Sequence, residues 1–346
     1  MPSRGKIIVL RFSAMGDVAM VASVLQEFVV QNSGAELIMV SRAAFKPFFD
    51  GIKNVTFHAI EPKTTHKGML GLYQLYFELK KYNPVAIADL HDNIRSRAIC
   101  LFFRMLGVKI KIKRIDKGRS EKKALTRSDN KIFKQLKQTV ERYADVFRAF
   151  SLNLNLSHRI TRNKKPIPAK AENLFNISYT KKIGISPFAQ HVYKVYALTN
   201  MEVVIADLNN LGYDIFIFGG GKEEQLIAAN WQDKFKNVKN MIGNFSLSEE
   251  LAIISNLDIM LSMDSAGMHM ASLMGVPVIS IWGPTHPYAG FLGYGQQESD
   301  CLQINHPARP NSIYGNKPCL CDEIPCIDLV TPESIVNKIK QKLKDA

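Results

Sequence analysis

The feature of this sequence that most constrains its fold is a series of continuously apolar segments that alternate with helical ones. Segments such as 6–12 and 276–282 are predominantly apolar without alternation, which is typical of parallel strands covered by helices on both faces. The series occurs twice, on either side of a polar, basic stretch at 153–182 that contains Pro166 and Pro168. A chain of 346 residues also exceeds one ordinary core. The sequence therefore predicts an α/β protein with two Rossmann-like parallel domains facing across a cleft.

The apolar segments are too short for a membrane-spanning helix, which needs about 20 apolar residues. The first residues lead directly into a predicted strand, without an apolar export signal. We therefore expect a cytoplasmic protein.

The five cysteines are an odd number, which argues against a disulfide framework, and we expect reduced thiols. Cys319, Cys321 and Cys326 lie close together but lack the paired spacing of a common zinc site. The sequence assigns them no role, and it does not specify an oligomeric state.

Charge is distributed unevenly along the chain. Residues 1–182 carry 34 basic and 14 acidic side chains, whereas residues 183–346 carry 11 and 17. The densest basic stretch, 104–142, carries 14 basic and 4 acidic side chains. We expect an anionic partner for the first half only, with nucleic acid, an anionic membrane surface, a phosphorylated glycan and a merely solvated face all open on charge alone.

Two loops of the first half come after predicted strands, where ligands bind in open parallel sheets. The loop at 11–17 lacks the GxGxxG dinucleotide fingerprint and ends in Asp17, which suits either a helix cap or a general base. The loop at 88–96 groups polar side chains that suit a hydroxyl-rich substrate: His91, Asn93 and Arg95. Asp92 or Asn93 can equally cap the next helix, and Asp89 with Asp92 does not form the DxD pair of metal-dependent sugar transferases.

Three loops of the second half suit a nucleotide. The loop at 186–194 contains Gln190 and Lys194, a cation suited to a phosphate. Glycines 219–221 precede Glu223, whose carboxylate suits ribose hydroxyls. Small residues at 264–269 open a helix, so their N–H groups suit a pyrophosphate.

These segments resemble glycosyltransferase family 9, the lipopolysaccharide heptosyltransferases. The resemblance rests on residues 10–17 and, far along the chain, on 264–271, 275–277 and 283–285, and it spans nearly the whole sequence. It implies a GT-B fold with an acceptor domain at 1–165 and a nucleotide-sugar donor domain at 166–331. It also implies that a last helix, 332–346, packs back on the first domain.

The resemblance assigns site residues one by one. The catalytic base falls on Asp17, and the donor site falls on Lys194, Glu223, Asp264, Ser265, Ala266, Gly267 and His269. From the strand-end loops we further expect Gln190 in the donor site and an acceptor site at Ser13, Gly16, His91, Asn93 and Arg95. Ala266 departs from the family because a glycine is common there, and its Cβ would loosen a close phosphate contact. The cysteine-rich segment of similar proteins is 306–311 here and lacks cysteine, so neither a metal nor a cofactor is expected.

The resemblance implies inverting, metal-independent transfer of a heptose from ADP-heptose to a lipopolysaccharide core or lipid A acceptor. Asp17 would deprotonate the acceptor hydroxyl, and Lys194 with the N–H groups of 265–267 would stabilise the departing diphosphate. Asp264 and His269 would orient the sugar or the motif backbone. A phosphorylated lipid acceptor would place the 104–142 stretch against the inner face of the inner membrane, making the protein peripheral.

Three alternatives come from other classes: a GT-B-like sugar-nucleotide epimerase, a nucleic-acid-binding protein, and a non-catalytic protein that binds a nucleotide-sugar or an anionic polymer. Nucleic acid is disfavoured because aromatic residues do not alternate with the charges of 104–142. The intact Asp17 argues against a non-catalytic protein.

Overall fold

The computed structural model describes residues 5–106, 109–175 and 180–344, which divide into two compact units. Unit 1 comprises Met1–Lys117 and Thr139–Ser157, and unit 2 comprises Gly118–Gln138 and His158–Ala346. The predicted boundary at 165 therefore misses an excursion of the chain into unit 2. The excursion belongs there because Leu125 and Leu136 pack against Ala289.

Unit 1 is built on a five-stranded parallel sheet with the strand order β3-β2-β1-β4-β5. Up to residue 157 the elements are β1 (Lys6–Leu10), α1 (Met15–Gln31), β2 (Glu36–Arg42), β3 (Val55–Ile60), α2 (Gly68–Lys80), β4 (Ala86–Asp89), α3 (Ile94–Met105), β5 (Lys111–Arg114), α4 (Arg119–Thr126) and α5 (Thr139–Arg148). Helix α4 lies in the excursion and belongs to unit 2.

The core of unit 1 is explained by its apolar strands. All four residues of β4 are buried, as are the last four of β1. Leu75 of α2 and Phe103 of α3 join Ile8 and Ile87 in one apolar cluster, so these two helices cover one face of the sheet. Burial on both faces explains why these strands are continuously apolar.

Unit 2 is built on a six-stranded parallel sheet with the strand order β11-β10-β9-β6-β7-β8. Its further elements are α6 (Glu172–Phe175), β6 (Lys182–Ser186), α7 (Leu198–Asn210), β7 (Asp214–Ile217), α8 (Lys222–Lys234), β8 (Val238–Asn240), α9 (Leu247–Ser255), β9 (Ile259–Met263), α10 (Ala266–Leu273), β10 (Val278–Ile281), β11 (Cys301–Leu302), β12 (Leu320–Cys321), β13 (Ile324–Pro325) and α11 (Pro332–Lys344). Strands β12 and β13 form a separate antiparallel hairpin.

The C-terminal helix corrects one prediction. Helix α11 packs on α7 within unit 2, whereas the resemblance implied packing on the first domain. Its apolar face joins the core of the six-stranded sheet through Ile335, Val336, Ile339 and Leu343. Helical periodicity shows that this face must be buried but does not identify the core that buries it. Residues 345 and 346 of the predicted helix lie outside the described residues.

Within the described ranges, no helix combines the length and apolarity needed to cross a membrane.

Candidate functional site

The two loops predicted as a site in unit 1 lie side by side. Strands β1 and β4 are neighbours, with Leu10 opposite Asp89, and the chain leaves β1 and β4 toward opposite sides of the sheet. Such a reversal of strand order is where open α/β sheets bind ligands. The Phe12 N–H donates to His91 Nδ1 at 3.2 Å, and Arg11 donates to the Leu90 carbonyl at 2.9 Å.

Asp17 lies in the first turn of α1, where its carboxylate contacts Arg11, Ala14 and Tyr143. One carboxylate oxygen lies 2.5 Å from an Arg11 guanidinium nitrogen and accepts the Ala14 N–H at 3.3 Å. The other oxygen accepts the Tyr143 hydroxyl at 3.1 Å. Asp17 therefore caps the helix and also presents an ion-paired carboxylate, so both predicted roles are compatible with the geometry. Its side chain is 23% exposed, which leaves it accessible to a substrate. Tyr143 is a site residue that the sequence did not indicate.

His91 is held as a neutral imidazole. Burial, and then the positive charges of Arg11 and Lys117, lower its pKa to about 3. Because Nδ1 accepts the Phe12 N–H, the neutral ring carries its proton on Nε2. His91 can therefore donate a hydrogen bond to a ligand but cannot serve as a base through Nε2.

The remaining acceptor candidates differ in their surroundings. Asn93 caps α3 by accepting the Ser96 N–H at 2.9 Å, which confirms the capping interpretation. Arg95 is exposed in the first turn of α3, and Ser13 and Gly16 are half-buried in the loop that leads to Asp17.

Asp89 and Asp92 are both neutralised by arginines. Asp89 accepts from Arg114 at 2.9 Å and from two backbone N–H groups of its own loop, and Asp92 accepts from Arg97 at 2.8 Å. Their oxygens are engaged, which leaves a poor pair of metal ligands.

Unit 2 has a matching reversal between β6 and β9, where Ser186 lies opposite Ser262. The loops after these strands bring Lys194 and Asp264 together in an ion pair of 2.8 Å. Both side chains are largely buried, at 15% and 9% exposure. The methylene stem of Lys194 lies against Gly315, where a Cβ would clash with it.

The donor motif forms the start of α10. Ser265 is the N-cap in extended conformation, Ala266 is the first helical residue, and His269 is buried within the helix. A Cβ on Gly267 would clash with the Ser186 side chain, so this glycine lets the helix start close to the end of β6. The positive end of α10 therefore lies at the same strand ends as Lys194.

Two predicted donor residues are not drawn into this cluster. Gln190 and Glu223 are exposed. Instead, the Glu224 carboxylate accepts the Gly220 N–H at 2.6 Å, and burial raises the pKa of Glu224. The position of each glutamate around α8 decides which of the two contacts the glycine loop. The glycine motif in the sequence does not show that this residue is Glu224 and not Glu223.

Arg309 is an organising residue that sequence reasoning missed. It is buried, which lowers its pKa to about 10, and it donates to the Gly283 carbonyl at 2.5 Å and the Thr285 carbonyl at 2.9 Å. It thereby fixes the loop after β10. Apart from its lack of cysteine, the sequence of the 306–311 segment indicates no role for Arg309.

The C-terminal cysteines correct a second prediction. Cys321 and Cys326 form a disulfide across the β12–β13 hairpin, although reduced thiols were expected. The turn residues Asp322 and Glu323 have positive φ, and this tight turn brings the two sulfurs together. The Cys319 sulfur lies 3.0 Å from that of Cys326, and all three buried sulfurs lie within 4.8 Å of one another. Within the described ranges these three sulfurs have the spacing of metal ligands, but they would suit a soft metal ion only with the disulfide reduced.

Known proteins resemble this chain in sequence and in fold. The model of glycosyltransferase family 9 (heptosyltransferase) matches residues 74–315. The lipopolysaccharide core heptosyltransferase OpsX of Haemophilus influenzae is 24% identical over 289 residues, which are 81% of this chain and 80% of that protein.

Two solved structures match over nearly their full length. The family 9 glycosyltransferase of Veillonella parvula has a TM-score of 0.74 at 15% identity, covering 99% of this chain and 98% of that one. The heptosyltransferase WaaC of Escherichia coli with ADP has a TM-score of 0.67 at 16% identity, covering 97% and 99%. With the two parallel sheets, these matches confirm the predicted GT-B fold. Because the family match extends over more than half of the sequence and includes the donor motif, this chain belongs to glycosyltransferase family 9, the heptosyltransferase family.

Proposed function

We propose that this glycosyltransferase moves a heptose from ADP-heptose to a lipopolysaccharide core acceptor, with inversion at the anomeric carbon and without a metal. The observation that carries the proposal is the opposite chemistry of the two strand reversals. Unit 1 presents the Asp17 carboxylate, whereas unit 2 presents Lys194 beside the positive end of α10. The relatives support the choice of substrates, since OpsX is a lipopolysaccharide core heptosyltransferase and WaaC was solved with an ADP-heptose analogue.

Asp17 is the proposed general base. The acceptor hydroxyl donates its proton to this carboxylate as its oxygen bonds to the anomeric carbon and the bond to the diphosphate breaks. Arg11 holds this carboxylate in place through the ion pair before the reaction. His91 presents Nε2–H and so binds an acceptor oxygen rather than removing its proton.

The neighbouring carboxylates support a single displacement, which inverts the anomeric carbon. With Asp17 as the base, a retaining double displacement would need a second carboxylate as the nucleophile. The nearby candidates are Asp89, which is fully buried, and Asp92, and both are bound by arginines.

Lys194 and the N–H groups at the start of α10 are the proposed stabilisers of the departing ADP. Asp264 holds the lysine at the strand ends, and the diphosphate would then share its ammonium group. These groups supply the positive charge that a divalent cation supplies in metal-dependent transferases. A metal is therefore not part of the proposed mechanism.

The test is a transfer assay with purified protein, ADP-heptose and a heptose-free core acceptor, with and without EDTA. We expect turnover that EDTA leaves unchanged and a product whose anomeric configuration, read by NMR, is opposite to that of the donor. Loss of turnover in EDTA would contradict the metal-free mechanism, and a retained configuration would contradict the role of Asp17. An epimerised donor formed without an acceptor would favour the epimerase alternative. Stabilisation by ADP with no turnover would favour the non-catalytic one.

We also propose that this enzyme is cytoplasmic and that it binds its lipid-linked acceptor at a membrane surface. The basic character of residues 1–182 supports this location.

A further inference from the structure

The outward faces of α2 and α3 are unusually apolar. Twenty large hydrophobic side chains stand out as exposed in the described part of the chain. Eight of them lie on these two helices or directly after α3: Met69, Leu70, Tyr73, Phe77, Ile94, Leu101, Met105 and Leu106. Leu70 and Ile94 are 86% and 85% exposed. We call these eight residues the α2–α3 face.

These side chains form neighbouring stripes. Leu70, Tyr73 and Phe77 are spaced for one side of α2, and the Tyr73 ring lies 5.5 Å from Phe102 of α3. The opposite side of each helix is buried on the sheet, as in Leu75 and Phe103. Both helices are therefore apolar on two sides, which solvent contact alone does not explain. Contiguous exposed apolar surface of this kind marks an interaction site.

The charges around the face are positive. Five exposed cations lie on or beside these helices and form no ion pair with a described carboxylate: Lys67, Lys80, Lys81, Arg95 and Arg104. Residues 62–106 contain three acidic side chains, and each is already engaged. Glu78 contacts His58 and His66 at 3.1 Å, and the two aspartates of β4 and its loop are bound by arginines.

We propose that the α2–α3 face docks this protein on an anionic phospholipid surface. The apolar side chains would enter the headgroup region, and the surrounding cations would lie near the lipid phosphates. An apolar centre with an uncompensated cationic border matches such a surface better than it matches a second copy of the same face, because two copies would oppose their like charges. The inference deepens the proposed function, since it states where a lipid-linked acceptor would be met.

The position of the face supports this role. Helices α2 and α3 come after β3 and β4, so their first residues lie at the carboxyl edge of the sheet. Leu70 and Ile94 belong to these first turns, and the loop of His91 lies at the same edge. A lipid-linked acceptor would therefore be met beside the loops that hold Asp17 and His91.

The docking surface shares only Arg104, Met105 and Leu106 with the stretch predicted at 104–142. Several cations of that stretch serve the fold instead. Arg114 binds Asp89, Lys117 donates to the Asp92 carbonyl at 3.1 Å, and Lys131 donates to the Pro307 carbonyl at 2.7 Å. Lys122 is buried, 4.3 Å from the centre of the Phe291 ring. Residues 107 and 108 of the stretch lie outside the described residues.

The experiment measures sedimentation of the full chain with phosphatidylcholine vesicles, with and without phosphatidylglycerol, and in the absence of any sugar nucleotide. We expect binding only to the anionic vesicles and weaker binding at high salt. The Leu70→Gln/Phe77→Gln variant should bind about tenfold more weakly or worse, because it removes apolar insertion. Lys80→Gln/Lys81→Gln should lose about tenfold through charge alone. The control, Val30→Gln/Leu226→Gln, changes two exposed apolar residues on α1 and α8 and should bind like the wild type.

Wild-type binding that is absent, or unchanged in both test variants at equal thermal stability, would overturn the docking proposal. An oligomer that Leu70→Gln/Phe77→Gln dissociates, without an effect on vesicle binding, would assign the face to contacts between copies and would also overturn it. Vesicle binding without turnover on any acceptor would instead contradict the proposed function. The docking inference would then stand.

Discussion

The two parallel sheets use the same structural device for opposite chemistry. Each sheet reverses its strand order beside its first strand, at β1–β4 in unit 1 and at β6–β9 in unit 2. In unit 1 the more exposed partner of the ion pair is the Asp17 carboxylate, whereas its partner Arg11 is buried. In unit 2 Lys194 and Asp264 pair beside a helix start that contributes further positive potential.

The difference lies in the first turn of the helix at each reversal. Helix α1 has an acidic residue there that caps it, so negative charge is placed at the positive end of the helix. Helix α10 has no acidic residue in its first turn, so its N–H groups stay available to an anion. In the proposed mechanism, one fold thus accepts a proton at one reversal and stabilises a leaving anion at the other.

The largest expected effect comes from Asp17→Asn. Turnover should fall by about a thousandfold, because the base is lost while the amide oxygen can still cap α1. The thermal shift produced by ADP should be unchanged, since ADP is assigned to the other reversal. Asp50→Asn, an exposed acid of the same unit, serves as the control. Wild-type turnover in Asp17→Asn would remove the contrast between the two sites.

The Lys194→Met variant tests the cationic site. Turnover should fall by about a hundredfold and the Kd for ADP should rise, because the departing diphosphate loses its main positive charge. Lys194→Met/Asp264→Asn should recover the thermal stability lost with the ion pair but not the activity. Lys222→Met, at the exposed start of α8, is the matched control. Recovered activity in the double variant would reduce the pair to a structural role.

The Gly267→Ala variant tests whether the close approach of α10 to β6 makes the anion site. A methyl group there meets Ser186, so the free energy of unfolding should fall by about 1–3 kcal/mol and ADP binding should weaken about tenfold. Gly220→Ala, where a Cβ meets no atom within 4 Å, should change neither quantity. Denaturant titration and calorimetry measure the two effects, and unaltered ADP binding in a destabilised Gly267→Ala protein would count against this site.

The smallest effect concerns His91 and pH. Its pKa of about 3 keeps the ring neutral from pH 5.5 to 8, so it should contribute no limb to the pH dependence of kcat/KM in that range. His91→Asn should lower the rate about threefold to tenfold without changing the shape of the profile. The pKa of His91 is lower in the folded state than in the unfolded state, where it is 6.5. The contribution of the neutral ring to the free energy of unfolding is therefore complete above pH 6.5 and is lost as the pH falls toward 3. A wild-type limb near pH 6.5 that His91→Asn abolishes would make His91 the base.

The sequence predicted the parts of the site that lie at strand ends. Loops after strands must meet at one edge of a parallel sheet, so Asp17 and His91 could be grouped, as could Lys194 and Asp264. Tyr143, Arg309 and Gly315 could not be found this way, because each acts across a long stretch of chain on a residue that another element positions. The docking of α11 and the excursion at 118–138 were missed for a related reason. An apolar stripe requires burial but does not specify its partner.

Gly315 controls the position of the Lys194 side chain from a distant part of the sequence. This residue adopts a left-handed backbone conformation, and its missing side chain leaves the space that the Lys194 stem fills. A larger residue there would force Lys194 into another rotamer while the other groups at the strand ends stayed in place. With Lys194 as the proposed ligand of the diphosphate, we expect donor affinity to depend on this loop far along the chain, so substitutions confined to residues that touch the donor would overlook it.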